Sequence, residues 1–175
     1  RTIIERQLDL DLKSLISVSA KLLADKVDAS KVEQEVFDYI LERLRAYYLD
    51  RDIMPDVFDA VSALSPSRPL DFDKRIKAVT AFRQLSAAES LAAANKRVGN
   101  ILKKSAVKEI VAVDEKLLSE DAEKDLYQVL NSLSQTVEPM FDAGDYESAL
   151  SQLSSLREQL DAFSDSVRVM ADDLA

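Results

Sequence analysis

An all-α fold is predicted for this chain by three observations. Only two glycines and four prolines occur in 175 residues, whereas sheets draw on Gly for hairpin turns and bulges and helices exclude it. Ser30-Lys31-Val32-Glu33 and Ser86-Ala87-Ala88-Glu89 both have the spacing of a capping box, in which the hydroxyl accepts from a first-turn N–H and the Glu reaches back to the cap. Between these starts, apolar residues recur three and four apart, on one face of a helix. The expectation is a bundle of six to eight helices around one good core or two small ones.

The elements follow in order. A first helical region is predicted over about residues 2–25, with Leu8, Leu12, Leu15, Ile16, Leu22 and Leu23 as its core positions. Val27-Asp28-Ala29 breaks it. The helix of about 31–50 places Phe37, Ile40, Leu41, Leu44 and Tyr48 on one arc, with Arg43 and Arg45 flanking that arc. Pro55 suits the first turn of a short helix to about Leu64, and Ser65-Pro66-Ser67-Arg68-Pro69 is a loop because two prolines cannot continue a helix. Asp71 or Asp73 is expected to cap a helix of about 72–84. Ser86 then starts one of about 87–104. Residues 105–118, with Val107, Ile110, Val111 and Val113, fit either an extended segment or a buried turn. Ser119 is expected to cap an acidic helix of about 120–143, stopped by Gly144. Asp145 starts a helix to about Leu160 with Tyr146, Leu150, Leu153 and Leu156 inward, and a last helix of about 161–171 carries Phe163, Val167 and Met170.

Composition closes off several kinds of chemistry. The chain has no His and no Cys, which removes imidazole bases, thiol nucleophiles, disulfides and the usual zinc sites. Acid pairs such as Asp9/Asp11, Asp50/Asp52 and Asp172/Asp173 are common among 32 acidic residues and read as solvated surface. No apolar run reaches the roughly 18–20 residues that span a bilayer, so no membrane partner is expected; the lack of Cys is compatible with a reducing cytoplasm. A chain opening on Arg1 with no Met reads as a piece of a longer polypeptide.

Charge is where the sequence departs from uniformity. The net charge is −9, yet residues 66–108 carry ten Lys/Arg against three acids, while residues 109–175 carry four against sixteen. A positive module inside a negative protein suggests a polyanion held at one place. Its centre is Ala94-Asn95-Lys96-Arg97-Val98-Gly99-Asn100-Ile101-Leu102-Lys103-Lys104. As a helix this puts Val98, Ile101 and Leu102 on one side and Lys96, Asn100, Lys103 and Lys104 on the other, with Arg97 on the flank. Arg68, Arg75 and Lys77 precede it, and Arg43, Arg45, Tyr47 and Tyr48 are nearby in sequence. Basic groups grip phosphates, while aromatic and Arg planes stack on unpaired bases. Tyr48 also falls on the apolar arc, so at least one of the two tyrosines belongs to the core. Gly99 costs its helix about 1 kcal/mol relative to Ala; close approach of a helix or an RNA and a neutral substitution account for it equally well.

Several strings in this order resemble the anticodon-binding region of the bacterial glycyl-tRNA synthetase beta subunit. They are Phe37-Asp38-Tyr39-Ile40-Leu41-Glu42-Arg43-Leu44-Arg45-Ala46-Tyr47-Tyr48, Asp56-Val57-Phe58-Asp59-Ala60-Val61, Arg68-Pro69-Leu70-Asp71-Phe72 and Lys77-Ala78-Val79-Thr80-Ala81-Phe82. Ala92 to Leu102 and Phe163 to Asp173 continue the series, and Thr2 to Leu12 is similar to the segment preceding that domain. The resemblance implies a helical domain like the anticodon-binding module of arginyl-tRNA synthetases, at the C-terminal end of a beta subunit. Residues 1–28 would link from a preceding domain, and residues 29–175 would form the anticodon-binding domain without its last helix. It implies glycine tRNA as partner through its anticodon arm, and contact with the synthetase alpha subunit through the full beta subunit. Glycine activation and ATP binding belong by resemblance to the alpha subunit, so this piece holds no cofactor, performs no catalysis alone and works in the cytoplasm. The residues expected to meet tRNA are Arg43, Arg45, Arg68, Arg75, Lys96, Arg97, Asn100, Lys103 and Lys104. A helical scaffold that binds another subunit is the alternative.

Overall fold

The structure, a computed structural model, describes residues 1–26, 32–104 and 113–166. Among the described residues there are helices and turns and no strand. The chain divides into two compact units, Arg1–Thr80 and Ala81–Ala175. The division expected after residue 28 falls among residues outside the described set, as do Ser30 and Lys31 of the first capping box.

The first unit contains α1 (Thr2–Glu5), α2 (Leu12–Leu22), α3 (Val32–Leu49), α4 (Pro55–Ser62) and α5 (Pro69–Phe82), the last two residues of α5 counting with the second unit. Its core is aromatic. Phe72, fully buried, lies with its ring 5.8 Å from Tyr48 and 5.2 Å from Phe58. Leu44, Val57, Val61 and Ile76 close around these rings, and Ile4 of α1 adds the N-terminal contact. The Tyr48 hydroxyl donates to the Asp73 carboxylate at 2.9 Å, and Lys77 Nζ lies 2.7 Å from the same carboxylate. Asp73 is thus a buried acid with two partners, the arrangement under which burial of a charge is tolerable.

The predicted continuous helix over 2–25 is two helices. Asp11 ends the break between them: its carboxylate accepts from the Ser14 N–H at 2.8 Å, capping α2, and also from the Ser67 hydroxyl. Leu12 N–H donates to the Ser67 carbonyl at 2.9 Å, and Arg68 Nη1 reaches both Asp9 oxygens at 2.9 Å. The N-terminal arm is therefore tied to the loop before α5 by hydrogen bonds. Leu8, Leu15, Leu22 and Leu23, expected in the core, are exposed, Leu22 by 80%. Leu15 and Leu23 border an open apolar cleft of about 380 Å³ between α2 and α3, so they face α3 without being closed over.

Helix α5 begins at Pro69, three residues earlier than predicted, because proline's fixed φ suits a first helical turn. Neither Asp71 nor Asp73 caps it: Asp71 pairs with Arg75 at 2.8 Å and Asp73 serves the core.

The second unit contains α6 (Ala88–Lys104), α7 (Asp121–Asp142), α8 (Tyr146–Leu153) and α9 (Arg157–Ser166), with 3-10 turns at Glu115–Leu117 and Ser154–Leu156. The N-cap of α7 is Glu120 rather than Ser119. The Glu123 carboxylate accepts from the backbone N–H groups of Ser119 at 2.9 Å and Glu120 at 3.1 Å, the reach-back half of a capping box whose N-cap is Glu120. Gly144 ends the helix with φ of 72°, a left-handed setting that favours glycine, and the Asp145 carboxylate caps α8 through Ser148 N–H. The predicted helix from Asp145 to Leu160 is interrupted at Ser154–Leu156, and α9 starts at Arg157. Leu126, Val137, Tyr146, Ala149 and Leu156 are buried. Val107, Ile110, Val111, Val167 and Met170 lie outside the described residues; Val113 is exposed.

Burial raises the pKa of the Tyr48 phenol well above its ordinary value, and the adjacent Asp73 carboxylate raises it further. A phenol whose pKa is raised on folding stabilises fully below its unfolded pKa near 10.0 and loses that contribution as pH climbs beyond it. Urea denaturation is expected to show a steeper loss of stability above about pH 10 for the parent than for Tyr48→Phe. At neutral pH the same variant is expected to lose about 1–3 kcal/mol, because Asp73 forfeits a buried donor.

Candidate nucleic-acid interface

The basic segment forms helix α6 through strong helix formers, above all Ala88, Ala92, Ala93 and Ala94. Glu89 sits in the first turn and Lys103 and Lys104 in the last, the order that complements the helix dipole. At about 100° per residue, Lys96, Asn100 and Lys103 stack along one face, with Arg97 and Lys104 beside them, an arc of about 120°. All five are exposed. None of their side chains has a hydrogen-bond or carboxylate partner among the described residues.

The opposite face is less covered than predicted. Leu91, Ala94, Val98 and Ile101 line a cleft of about 620 Å³ that α7, α8, the 3-10 turn after it and α9 continue with Leu126, Leu153, Leu156 and Phe163. Val98 and Leu102 remain 48% and 47% exposed, so the stripe borders an open apolar cleft instead of a closed core. Arg97 also lines this cleft, its stem against apolar surface, as long basic side chains commonly lie. Ser90 Oγ to Asp161 at 3.3 Å and Arg157 Nη1 to the Ser86 carbonyl at 3.2 Å hold α9 against the start of α6. An added Cβ at Gly99 meets nothing within 4 Å, so close protein packing among the described residues does not explain that glycine.

The nine expected contact residues are divided between the units. Lys96, Arg97, Asn100, Lys103 and Lys104 share α6. Arg43, Arg45, Arg68 and Arg75 lie in the first unit, and three of them have carboxylate partners: Arg45 with Asp59, Arg68 with Asp9 and Asp11, Arg75 with Asp71. Arg43 instead donates through Nε to the Tyr39 hydroxyl at 3.1 Å, with its guanidinium 5.1 Å from that ring's centre. Arg51, which sequence reasoning passed over, stacks on Tyr47 at 3.7 Å; the i, i+4 spacing of the two was the available signal. Among the described residues no group of three or more acids is placed to hold a metal ion, and no helix is long and apolar enough to cross a membrane.

Residues 91–175 match the DALR anticodon binding domain. The matched span takes in the whole cationic face of α6. The chain is also 50% identical over all 175 residues to the glycine–tRNA ligase beta subunit of Aliivibrio fischeri. It is 52% identical over 173 residues, or 99% of the chain, to that of Photobacterium profundum. Over the full chain it is 46% identical to that of Pseudoalteromonas translucida. In each case the match spans 25% of the relative's length.

With open space around position 99, Gly99→Ala is expected to raise stability in urea by up to about 1 kcal/mol through helix propensity alone. A lower stability would mean that another part of the chain packs at that position.

Proposed function

We propose that this chain binds the anticodon arm of glycine tRNA as part of the beta subunit of a two-subunit glycine–tRNA ligase. The observation that carries the proposal is the unpaired cationic face of α6 inside the span that matches the DALR anticodon binding domain. Lys96, Lys103 and Lys104 are point charges for backbone phosphates, Arg97 a planar donor for one more, and Asn100 a donor–acceptor pair suited to a base edge. Arg43, Arg45, Arg68 and Arg75 of the first unit are further candidate RNA contacts. Exposed ion pairs hold by only about 0–1 kcal/mol, so Arg45 and Arg68 can exchange their carboxylates for phosphates. The chain contributes binding and no bond-making: glycine activation with ATP is assigned to the alpha subunit, which meets the chain through the full beta subunit in the cytoplasm.

A second reading is favoured by the apolar cleft bordered by α6, a surface of the kind a partner helix covers. It makes the chain a scaffold for subunit assembly.

Binding of a glycine-anticodon stem-loop across a salt series separates the two. The RNA reading expects affinity to fall steeply with salt, and Arg97→Ala to lower the log–log slope by about 0.7–0.9, one phosphate contact. Asn100→Ala is expected to reduce preference for the glycine anticodon by about 1–3 kcal/mol while leaving the slope in place. Unchanged RNA affinity together with lost fold stability in both variants would hand these residues to the scaffold.

A further inference from the structure

The first unit holds a concave surface that the α6 reading does not use, a cleft of about 650 Å³ bounded by α1, the end of α3 and α5. Core side chains Ile4, Tyr48 and Ile76 form part of its lining, and Tyr47, Arg51, Lys74 and Lys77 stand around them. The acids in the lining already have partners. Glu5 accepts from Arg1 Nε at 2.8 Å, and Asp73 takes the Tyr48 hydroxyl at 2.9 Å and Lys77 at 2.7 Å. Neither Arg51 nor Lys74 has a carboxylate within ion-pair distance among the described residues, although Arg51, after Arg1, helps to lower the pKa of Glu5. Arg45, Arg68 and Arg75 in the same unit all have one.

Arg51 is also set in place. Its guanidinium lies 3.7 Å from the Tyr47 ring centre, nearer than in the other cation–ring contacts of the described residues, and its Nη1 donates to the Tyr47 carbonyl at 3.0 Å. Stacking and that one bond fix the plane of the fork while its other N–H groups remain for a ligand, the pre-organisation that favours bidentate phosphate binding. Lys74 supplies a second charge on α5, and the half-buried Tyr47 beside them is the aromatic side chain that a sugar or base next to the phosphate would meet.

We propose that this cleft is a phosphate subsite for a single strand of RNA, with Arg51 and Lys74 as its anion ligands. It belongs to the first unit and does not rest on the α6 reading. Cations beside a stacked ring favour a nucleic-acid strand over an acidic peptide, which calls for charge without the aromatic wall.

The test is NMR titration of the whole ¹⁵N-labelled chain with a decamer of single-stranded oligouridylate at low salt, with uridine monophosphate and oligoglutamate as comparison arms. The oligouridylate is expected to shift the amides of Tyr47, Arg51 and Lys74. Lys74→Ala and Arg51→Lys are each expected to weaken binding read at those amides at least three-fold, the second because it keeps the charge and loses the planar fork. If the RNA moves only α6 amides, the subsite is overturned and the α6 reading stands; if it moves only the cleft, the reverse holds. Equal shifts and affinity with the mononucleotide would assign the cleft to a free nucleotide, and equal affinity for oligoglutamate would reduce it to a charge-only surface. Either result overturns the proposal.

Discussion

The rotational setting of α6 fixes the chemistry of the second unit. Turning Leu91, Ala94, Val98 and Ile101 toward α7, α8 and α9 leaves Lys96, Asn100 and Lys103 directed away, because the two sets occupy opposite arcs of one helix. No other setting satisfies both the apolar contacts and the hydration of the amines. The acids of α7 had an obvious alternative use, which was to neutralise these lysines. Glu123 instead caps its own helix through Ser119 and Glu120, and Asp121 lies 3.7 Å from Lys124. Among the described residues no acid of α7 pairs with an α6 lysine, which leaves a positive face in a protein of net charge −9.

The first unit handles charge differently. Four of its arginines, Arg1, Arg45, Arg68 and Arg75, are engaged with carboxylates, and two of those pairings, Arg45 with Asp59 and Arg68 with Asp9, join distant parts of the sequence. They organise the arm and the helix pairs around Phe72, whose complete burial requires Tyr48 and Phe58 to close over it. Tyr48 links packing and charge, because its ring belongs to the core while its hydroxyl satisfies Asp73. Two further arginines of the unit, Arg43 and Arg51, rest on tyrosine rings instead of pairing with acids. A guanidinium stacked on a ring keeps its in-plane donors, so these two combine rigidity with unused binding capacity.

What the sequence made legible was whatever local chemistry decides. Pro55 at the start of α4, Gly144 after α7 and Asp145 before α8 each act within a few residues. The arc Phe37, Leu44, Tyr48 is a helical period and was found as one. The failures have non-local or competing causes. Asp11 meets Ser67 across 56 positions, which no periodicity reveals, so the break before α2 went unseen. Adjacent Ser119 and Glu120 are both plausible caps, and Glu123 decides between them. The 3-10 turn at Ser154–Leu156 keeps the leucine spacing nearly intact and so hides the end of α8. For the candidate site, the α6 face was legible because it is one helix. Which arginines would find carboxylates was not, since that depends on the tertiary fold.

The central claim is that RNA lies on the α6 face, and lysine acylation footprinting of the whole chain tests it most directly. With a glycine-anticodon stem-loop bound, the account predicts that Lys96, Lys103 and Lys104 are shielded from acylation while Lys116 and Lys124 react as they do without RNA. Equal reactivity of the three α6 lysines in the free and RNA-bound chain would contradict it.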